Sequence, residues 1–291
     1  MTFFRSLFPK NAGTGQPRVP PGYRVYAIGD IHGRLDLLDD ALARIEADID
    51  SRGEARNIIV FLGDLIDRGP SSAQVIERAR TYRRPGLRTV FITGNHEEVL
   101  LRLLRGESQF VRDWLRFGGA ECARSYGISS TALKRTDPHR AVEVLRDKIP
   151  KHDQEFLEKF VDTFRIGSYL FVHAGVRPGV PLPEQKQSDL RWIRQPFLEN
   201  DDDHGFIVVH GHTIADQIDV RGNRIGLDTG AYRTGVLTAM GLAGGERWFL
   251  QTDPSSSAGA NSTDEPPLVA SRDLAGRVGG CILVHKERCS E

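Results

Sequence analysis

Five short segments concentrate the residue types that hold divalent metals and phosphate. They are Gly29-Asp30-Ile31-His32-Gly33, Gly63-Asp64-Leu65-Ile66-Asp67-Arg68-Gly69, Gly94-Asn95-His96-Glu97, His173-Ala174-Gly175 and His210-Gly211-His212-Thr213. Asp30 and His32 are two apart, so on an extended chain both side chains point the same way. Gly29 and Gly33 permit a tight turn and close backbone approach. Asp64 has two oxygens and can bridge two cations. Asn95 offers a neutral amide oxygen, and His173 and His212 offer imidazoles. These six ligands, one of them shared, make two incomplete coordination spheres with places left for water and substrate. Two divalent cations outweigh the charges of Asp30 and Asp64, so the site stays net positive and suits a phosphate anion. The same field acidifies a bridging water, making hydroxide available near neutral pH. Mixed nitrogen and oxygen donors with open positions suit manganese, iron or zinc better than calcium.

Three further residues suit phosphate itself. His96 immediately follows a metal ligand and so lies beside the bound phosphate. Asp67 can hold its other ring nitrogen and favour the imidazolium, poising His96 to protonate a leaving oxygen. Arg68 is a bidentate clamp for phosphate oxygens. Arg194, in Leu190-Arg191-Trp192-Ile193-Arg194, is a second clamp, with Arg191 as its competitor and an Asp189 ion pair as the ordinary alternative. His210 alternates with His212 and faces the core rather than a metal. His139, His152, His204 and His285 have no ligand context and read as solvated. Taken singly, an Asp or Asn after a strand is usually a turn or cap. The ordered set carries the reading, because four of the five segments directly follow an apolar, β-rich run. Ligands at the ends of neighbouring strands converge in space.

The elements that position them follow from periodicity. Residues 24–28 read as a strand. Leu38, Leu42, Ile45 and Ile49 then recur with helical spacing over 35–50. The apolar run 57–62 is a strand buried on both faces. A helix over 72–82 and a strand over 89–93 follow. This alternation predicts βαβ units and a largely parallel sheet. From about Glu97 to Phe164 the pattern is helical, a cap over one edge of the sheet, broken by glycines after Trp114 and punctuated by Pro138 and Pro150. Strands return at 169–172, 206–209, 224–227, 236–240 and 248–250, and the last three predict an antiparallel meander. The resulting organisation is a flexible lead-in over 1–22, a catalytic domain over 23–251 with its cap at about 97–165, and a disordered tail over 252–291.

Composition narrows the function classes. Lys plus Arg and Asp plus Glu balance at 39 each, which leaves no electrostatic footprint for nucleic acid or an anionic membrane. No apolar run approaches the ~18–20 residues of a membrane span. The first ten residues lack the apolar core of a signal peptide. Three cysteines, Cys122, Cys281 and Cys289, show no zinc spacing and fit a reducing cytoplasm.

The motifs GDIHG, GDLIDRGP, GNHE, HAG and HGHT resemble those of the phosphoprotein phosphatase family, within the calcineurin-like metallophosphoesterases, from about Tyr23 to Leu250. The stretch from Trp114 to Gly127 also resembles the cap of bacterial serine/threonine phosphatases. The resemblance implies an α/β fold, a four-layer αββα sandwich of two mixed sheets with a helical cap insertion. It implies Asp30, His32 and Asp64 on a first metal and Asp64, Asn95, His173 and His212 on a second. Arg68, His96 and Arg194 would contact phosphate, with Asp67 supporting His96. Manganese is the expected ion, and direct attack by a metal-bound hydroxide on phosphoserine or phosphothreonine of a protein or peptide is the expected chemistry. Symmetrical diadenosine tetraphosphate hydrolases share most of these motifs but typically lack an aspartate at the place of Asp67, which favours the protein phosphatase. A non-catalytic scaffold is the third expectation, disfavoured because every ligand and clamp is present. A tail that recruits a partner is compatible with any of these.

Overall fold

Strands that are apolar on both faces must be covered on both, and here two sheets cover one another. The computed structural model describes residues 16–253. The chain begins β1 (Tyr23–Ile28), α1 (Leu35–Ser51), β2 (Arg56–Phe61), α2 (Ser72–Thr81) and β3 (Leu87–Phe91). The cap follows as α3 (Asn95–Arg105), α4 (Val111–Trp114), a π-helical turn (Leu115–Gly119), α5 (Ala120–Ser125), α6 (Ser130–Arg135), α7 (Pro138–Lys148) and α8 (Lys151–Leu157). Then come β4 (Thr163–Ile166), β5 (Tyr169–Val172), α9 (Gln187–Trp192), β6 (Ile207–His210), β7 (Asp219–Val220), β8 (Arg224–Gly226), α10 (Ala231–Thr234), β9 (Thr238–Ala243) and β10 (Glu246–Gln251).

The first sheet has the order β10-β9-β1-β2-β3, with β1, β2 and β3 parallel and β9 and β10 antiparallel. The second has the order β4-β5-β6-β8-β7, with β5, β6 and β8 parallel and both edge strands antiparallel. Ala27, Val60 and Val90 of the first sheet meet Phe171, Val209 and Ile225 of the second in one buried core. Leu170, Val172 and Val208 on the other face of the second sheet pack under Leu190, Ile193 and Phe197. On the far side of the first sheet, Tyr26 donates to Asp48 of α1 at 2.6 Å. The result is the expected helix–sheet–sheet–helix sandwich.

Four local expectations change. The three closing strands do not form one meander: β9 and β10 pair in the first sheet, whereas β8 lies in the second beside β6. Sequence proximity suggested the meander, but β8 pairs in parallel with β6 and antiparallel with β7, and its Ile225 enters the core between the sheets. Within the expected cap range of about 97–165, residues from Thr163 onward are strand, held by β5. In the lead-in over 1–22, Val19 is buried and donates its N–H to Gly244 at 2.8 Å, so the described part is docked. In the tail over 252–291, Thr252 is buried and bonded to Gly235 and Leu237, while residues 254–291 lie outside the described residues, as do 1–15.

Candidate metal centre

The site lies on the turns that leave the parallel strands. Five non-glycine residues among those described have positive φ: His32, Asp64, Asp67, Arg68 and His212. Each such conformation costs roughly 1–3 kcal/mol and persists only where the surroundings impose it. The surroundings here are specific. The N–H groups of Ile31 and His32 both donate to the Asp64 carbonyl, at 3.1 and 2.8 Å. Glu97 accepts from the Asp64, Leu65 and Gly94 N–H groups at 2.8, 2.8 and 3.0 Å, tying the second segment to the third. The close approach explains the flanking glycines: a Cβ at Gly94 would fall 2.1 Å from Asp64 Oδ1, and one at Gly211 would fall 2.0 Å from Asp30 Oδ1.

The six expected ligands come together, all buried. Asp64 is central. Its carboxylate lies 3.6 Å from His32 Nε2 and 3.4 Å from His173 Nε2. Nitrogens of His173 and His212 each approach the Asn95 amide oxygen at 2.9 Å. Asp30 accepts from the His212 N–H at 3.0 Å. Two compact donor groups result, His32–Asp64–His96 and Asp64–His173–His212, sharing Asp64. Asp30 lies against them without joining either. Burial, then the Asp228 and Asp64 carboxylates, push its pKa well above the ordinary range.

The donor chemistry fits cations. Burial, reinforced by Arg68 at His32 and by Arg194 at His212, lowers those two imidazoles well below their usual pKa, and burial lowers His173 as well. They are therefore neutral, with one N–H each. In His32 and His173 that hydrogen goes from Nδ1 to the Ile66 and Leu62 carbonyls, at 2.9 and 2.8 Å. Each remaining lone pair faces the Asp64 carboxylate, acceptor against acceptor. His212 Nε2 is buried without a hydrogen-bond partner. Divalent ions satisfy such a set, and backbone carbonyls that fix the tautomer of ligating imidazoles are the usual support.

The residues expected to contact phosphate surround this pair. His96 Nδ1 lies 2.7 Å from Asp67 Oδ2. Burial opposes charge on His96, but Asp64 and the Asp67 bond outweigh it and raise its pKa. Arg68 Nη2 is 3.3 Å from His96 Nε2. Arg194 reaches the His212 carbonyl at 3.5 Å and shares the electrostatic field of Arg68, Asp64, Asp228 and Asp30. The competing readings of that segment resolve: Arg191 is paired with Asp162 and Glu98, at 2.6 and 3.3 Å, and Asp189 is paired with Arg177. His210 packs edge-on against Phe197, and burial lowers its pKa to about 4.

Sequence reasoning passed over five residues. Glu97 could have been found from its place three residues after Gly94 at the start of α3, where its carboxylate reaches back to accept from the Gly94 N–H, the half of a capping box that a glycine N-cap allows. Asp228 ends the β8 run as Asp30 and Asp64 end theirs; burial pushes its carboxyl up to about 6. Tyr232 packs edge-on against His32, with the Arg68 guanidinium 4.9 Å from its ring. Trp114 and Cys122 of the cap reach Asp67, and no sequence periodicity marks either as anything but core.

A family profile described as calcineurin-like phosphoesterase matches residues 23–236, a range that contains the six expected ligands, Arg68, His96, Arg194 and Asp67. The chain belongs to the calcineurin-like phosphoesterase family. This phosphoesterase is 24% identical over 234 residues to an asymmetrical bis(5'-nucleosyl)-tetraphosphatase of Anoxybacillus flavithermus, covering 73% of this chain and 88% of that one. It is 30% identical over 154 residues to a symmetrical bis(5'-nucleosyl)-tetraphosphatase of Methylococcus capsulatus, covering 53% and 44% respectively. A crystal structure described provisionally as a diadenosine tetraphosphatase superposes with a TM-score of 0.56 at 22% identity, covering 81% of this chain and 98% of that one; it supports the fold. The phosphoesterase is thus a metal-dependent hydrolase of the dimetal type. Among its described residues, no helix is long and apolar enough to cross a membrane.

Proposed function

We propose that this phosphoesterase hydrolyses bis(5'-nucleosyl) polyphosphates at the Asp64-centred site. The observation that carries the reading is the similarity to bis(5'-nucleosyl)-tetraphosphatases, one of them matched over 73% of this chain. This departs from the emphasis that Asp67 placed on protein phosphatases, since relatives of both the asymmetrical and symmetrical kinds match the chain. Asp30 and His32, with Asp64 shared, would hold one ion; Asn95, His173 and His212 would hold the other, manganese being the proposed metal. When bound, the ions polarise a phosphate and acidify a water. Arg68 and Arg194 hold phosphate oxygens, and His96, backed by Asp67, gives a proton to the departing oxygen. Action in the cytoplasm is part of the same proposal.

A second reading, hydrolysis of phosphoserine or phosphothreonine in proteins, draws on the 2.7 Å contact between His96 and Asp67. An alkoxide is a poor leaving group and depends most on a proton in the transition state, whereas a nucleoside phosphate depends on it less. A well-supported acid is therefore of most use against an alkyl ester.

Hydrolysis with manganese at equal enzyme separates the readings. Diadenosine tetraphosphate is compared with phosphoserine, phosphothreonine and phosphotyrosine peptides. Preference for the dinucleotide is the expected result. Preference for phosphoserine or phosphothreonine overturns it in favour of the second reading, and no metal-dependent turnover of any of them would point to a non-catalytic scaffold.

A further inference from the structure

Asp67 is fully buried, and a buried carboxylate must be satisfied by donors. One is His96 Nδ1. The others come from the cap. Trp114, itself buried, donates its indole N–H to both carboxylate oxygens, at 3.2 and 3.1 Å. Cys122 stands beside the same carboxylate; burial, then that carboxylate, push its thiol pKa well above the ordinary value. Between these two residues the chain makes its π-helical turn, where Gly118 has φ 111° and its carbonyl accepts from the Arg68 N–H at 3.0 Å. A Cβ at Gly119 would lie 2.2 Å from the Trp114 ring, so the bare backbone there lets the indole lie against the turn. One turn of the cap therefore grips both Asp67, through Trp114, and the backbone of Arg68.

The geometry points to Trp114 as a positioning residue that orients Asp67 and, through it, His96 for proton delivery to the leaving oxygen. A phenyl ring would fill most of the same volume without donating, so packing alone does not require an indole. The indole N–H of Trp114 bonds Asp67, so its effect passes through that carboxylate. The inference rests on the acid role of His96 proposed above and is independent of which phosphate ester or anhydride is the natural substrate.

The test uses the full chain with manganese and two aryl phosphates. Phenyl phosphate has a poor leaving group, and 2,4-dinitrophenyl phosphate has a leaving group that needs no proton. Trp114→Phe is expected to lower kcat for phenyl phosphate roughly 10- to 100-fold, the scale of losing a bond to a charged group. The dinitrophenyl ester should change by less than about 3-fold, with KM and metal per chain unaltered. On an Asp67→Asn background, Trp114→Phe should add nothing further. Equal losses on both esters, a loss of bound metal, or an undiminished effect on the Asp67→Asn background would overturn the inference. Bias in His96→Asn without bias in Trp114→Phe overturns it alone, whereas no bias in His96→Asn removes the acid role itself. Should Trp114→Phe not fold, the indole N–H resonance of Trp114 in the intact chain gives the answer. It should move on Asp67→Asn, and an unmoved resonance overturns the contact.

Discussion

The candidate metal-ligating side chains stand on turns that leave the parallel strands of two packed sheets, whereas Asp67 and the Arg68 backbone are tied to a helical insertion. The first region is held by backbone. Ile31 and His32 donate to the Asp64 carbonyl, Gly211 donates to His173, and a shared apolar core lies directly beneath. The second depends on a few contacts across the chain, Trp114 to Asp67 and Arg68 to Gly118. On the roles proposed above, the metal ligands and the support of Asp67 draw on different parts of the fold, so damage to the cap should spare the metals. A sheet rim fixes donors to a fraction of an ångström because each turn is pinned by its neighbours. An insertion offers fewer ties and can be remodelled without disturbing the core.

Substitutions can break this separation. The largest effect is expected at Asp64, the residue both donor groups share. Asp64→Asn should empty both metal positions and lower turnover by ~10⁴-fold, since several kcal/mol of charge stabilisation goes with the ions. Metal analysis beside the rate checks it, and full two-metal occupancy would refute the shared ligand. Next is His96→Asn, expected to cost ~10²–10⁴ in kcat on an alkyl phosphate with the metals retained. His96 also belongs to one compact donor group, so metal lost in step with activity would make it a ligand instead.

Glu97 probes the rim itself. Glu97→Ala strips the acceptor from the Asp64, Leu65 and Gly94 N–H groups. Unpaired buried donors cost about 1–3 kcal/mol each, without simple additivity, so a urea titration of metal-free protein should show about 3 kcal/mol or more of lost stability. An unchanged midpoint would mean that the strained turns are pinned some other way. The smallest effect is expected at the outer clamp. Arg194→Ala should raise KM about 10-fold with kcat little changed, the scale of one exposed charged contact. Arg191→Ala should leave KM alone, because that side chain is committed to Asp162 and Glu98.

Much of the site was legible because metal ligation constrains residue type and because strand ends converge. Asp30, His32, Asp64, Asn95, His173 and His212 stood in motifs of which four of five directly follow apolar runs, and the structure buries all six, with Asp64 central to two donor groups. Arg194 was ambiguous in the chain, where Asp189 is its neighbour; in the fold Arg177 takes Asp189 and leaves Arg194 at the rim. The closing strands misled for the opposite reason. Their short loops predict a meander, but β8 pairs beside β6 in the second sheet, where Ile225 enters the core between the two sheets.

The order and chemical type of the donor atoms reside in local sequence, because each stands in a short motif just past a strand end. The partner of Asp67 does not. Trp114 lies 47 residues away on a turn shaped by Gly118 and Gly119, and reads in the chain as one more apolar core residue. Its indole N–H meets Asp67 only because the cap folds back over the rim. Long-range contacts of that kind are decided by packing, which no local spacing encodes.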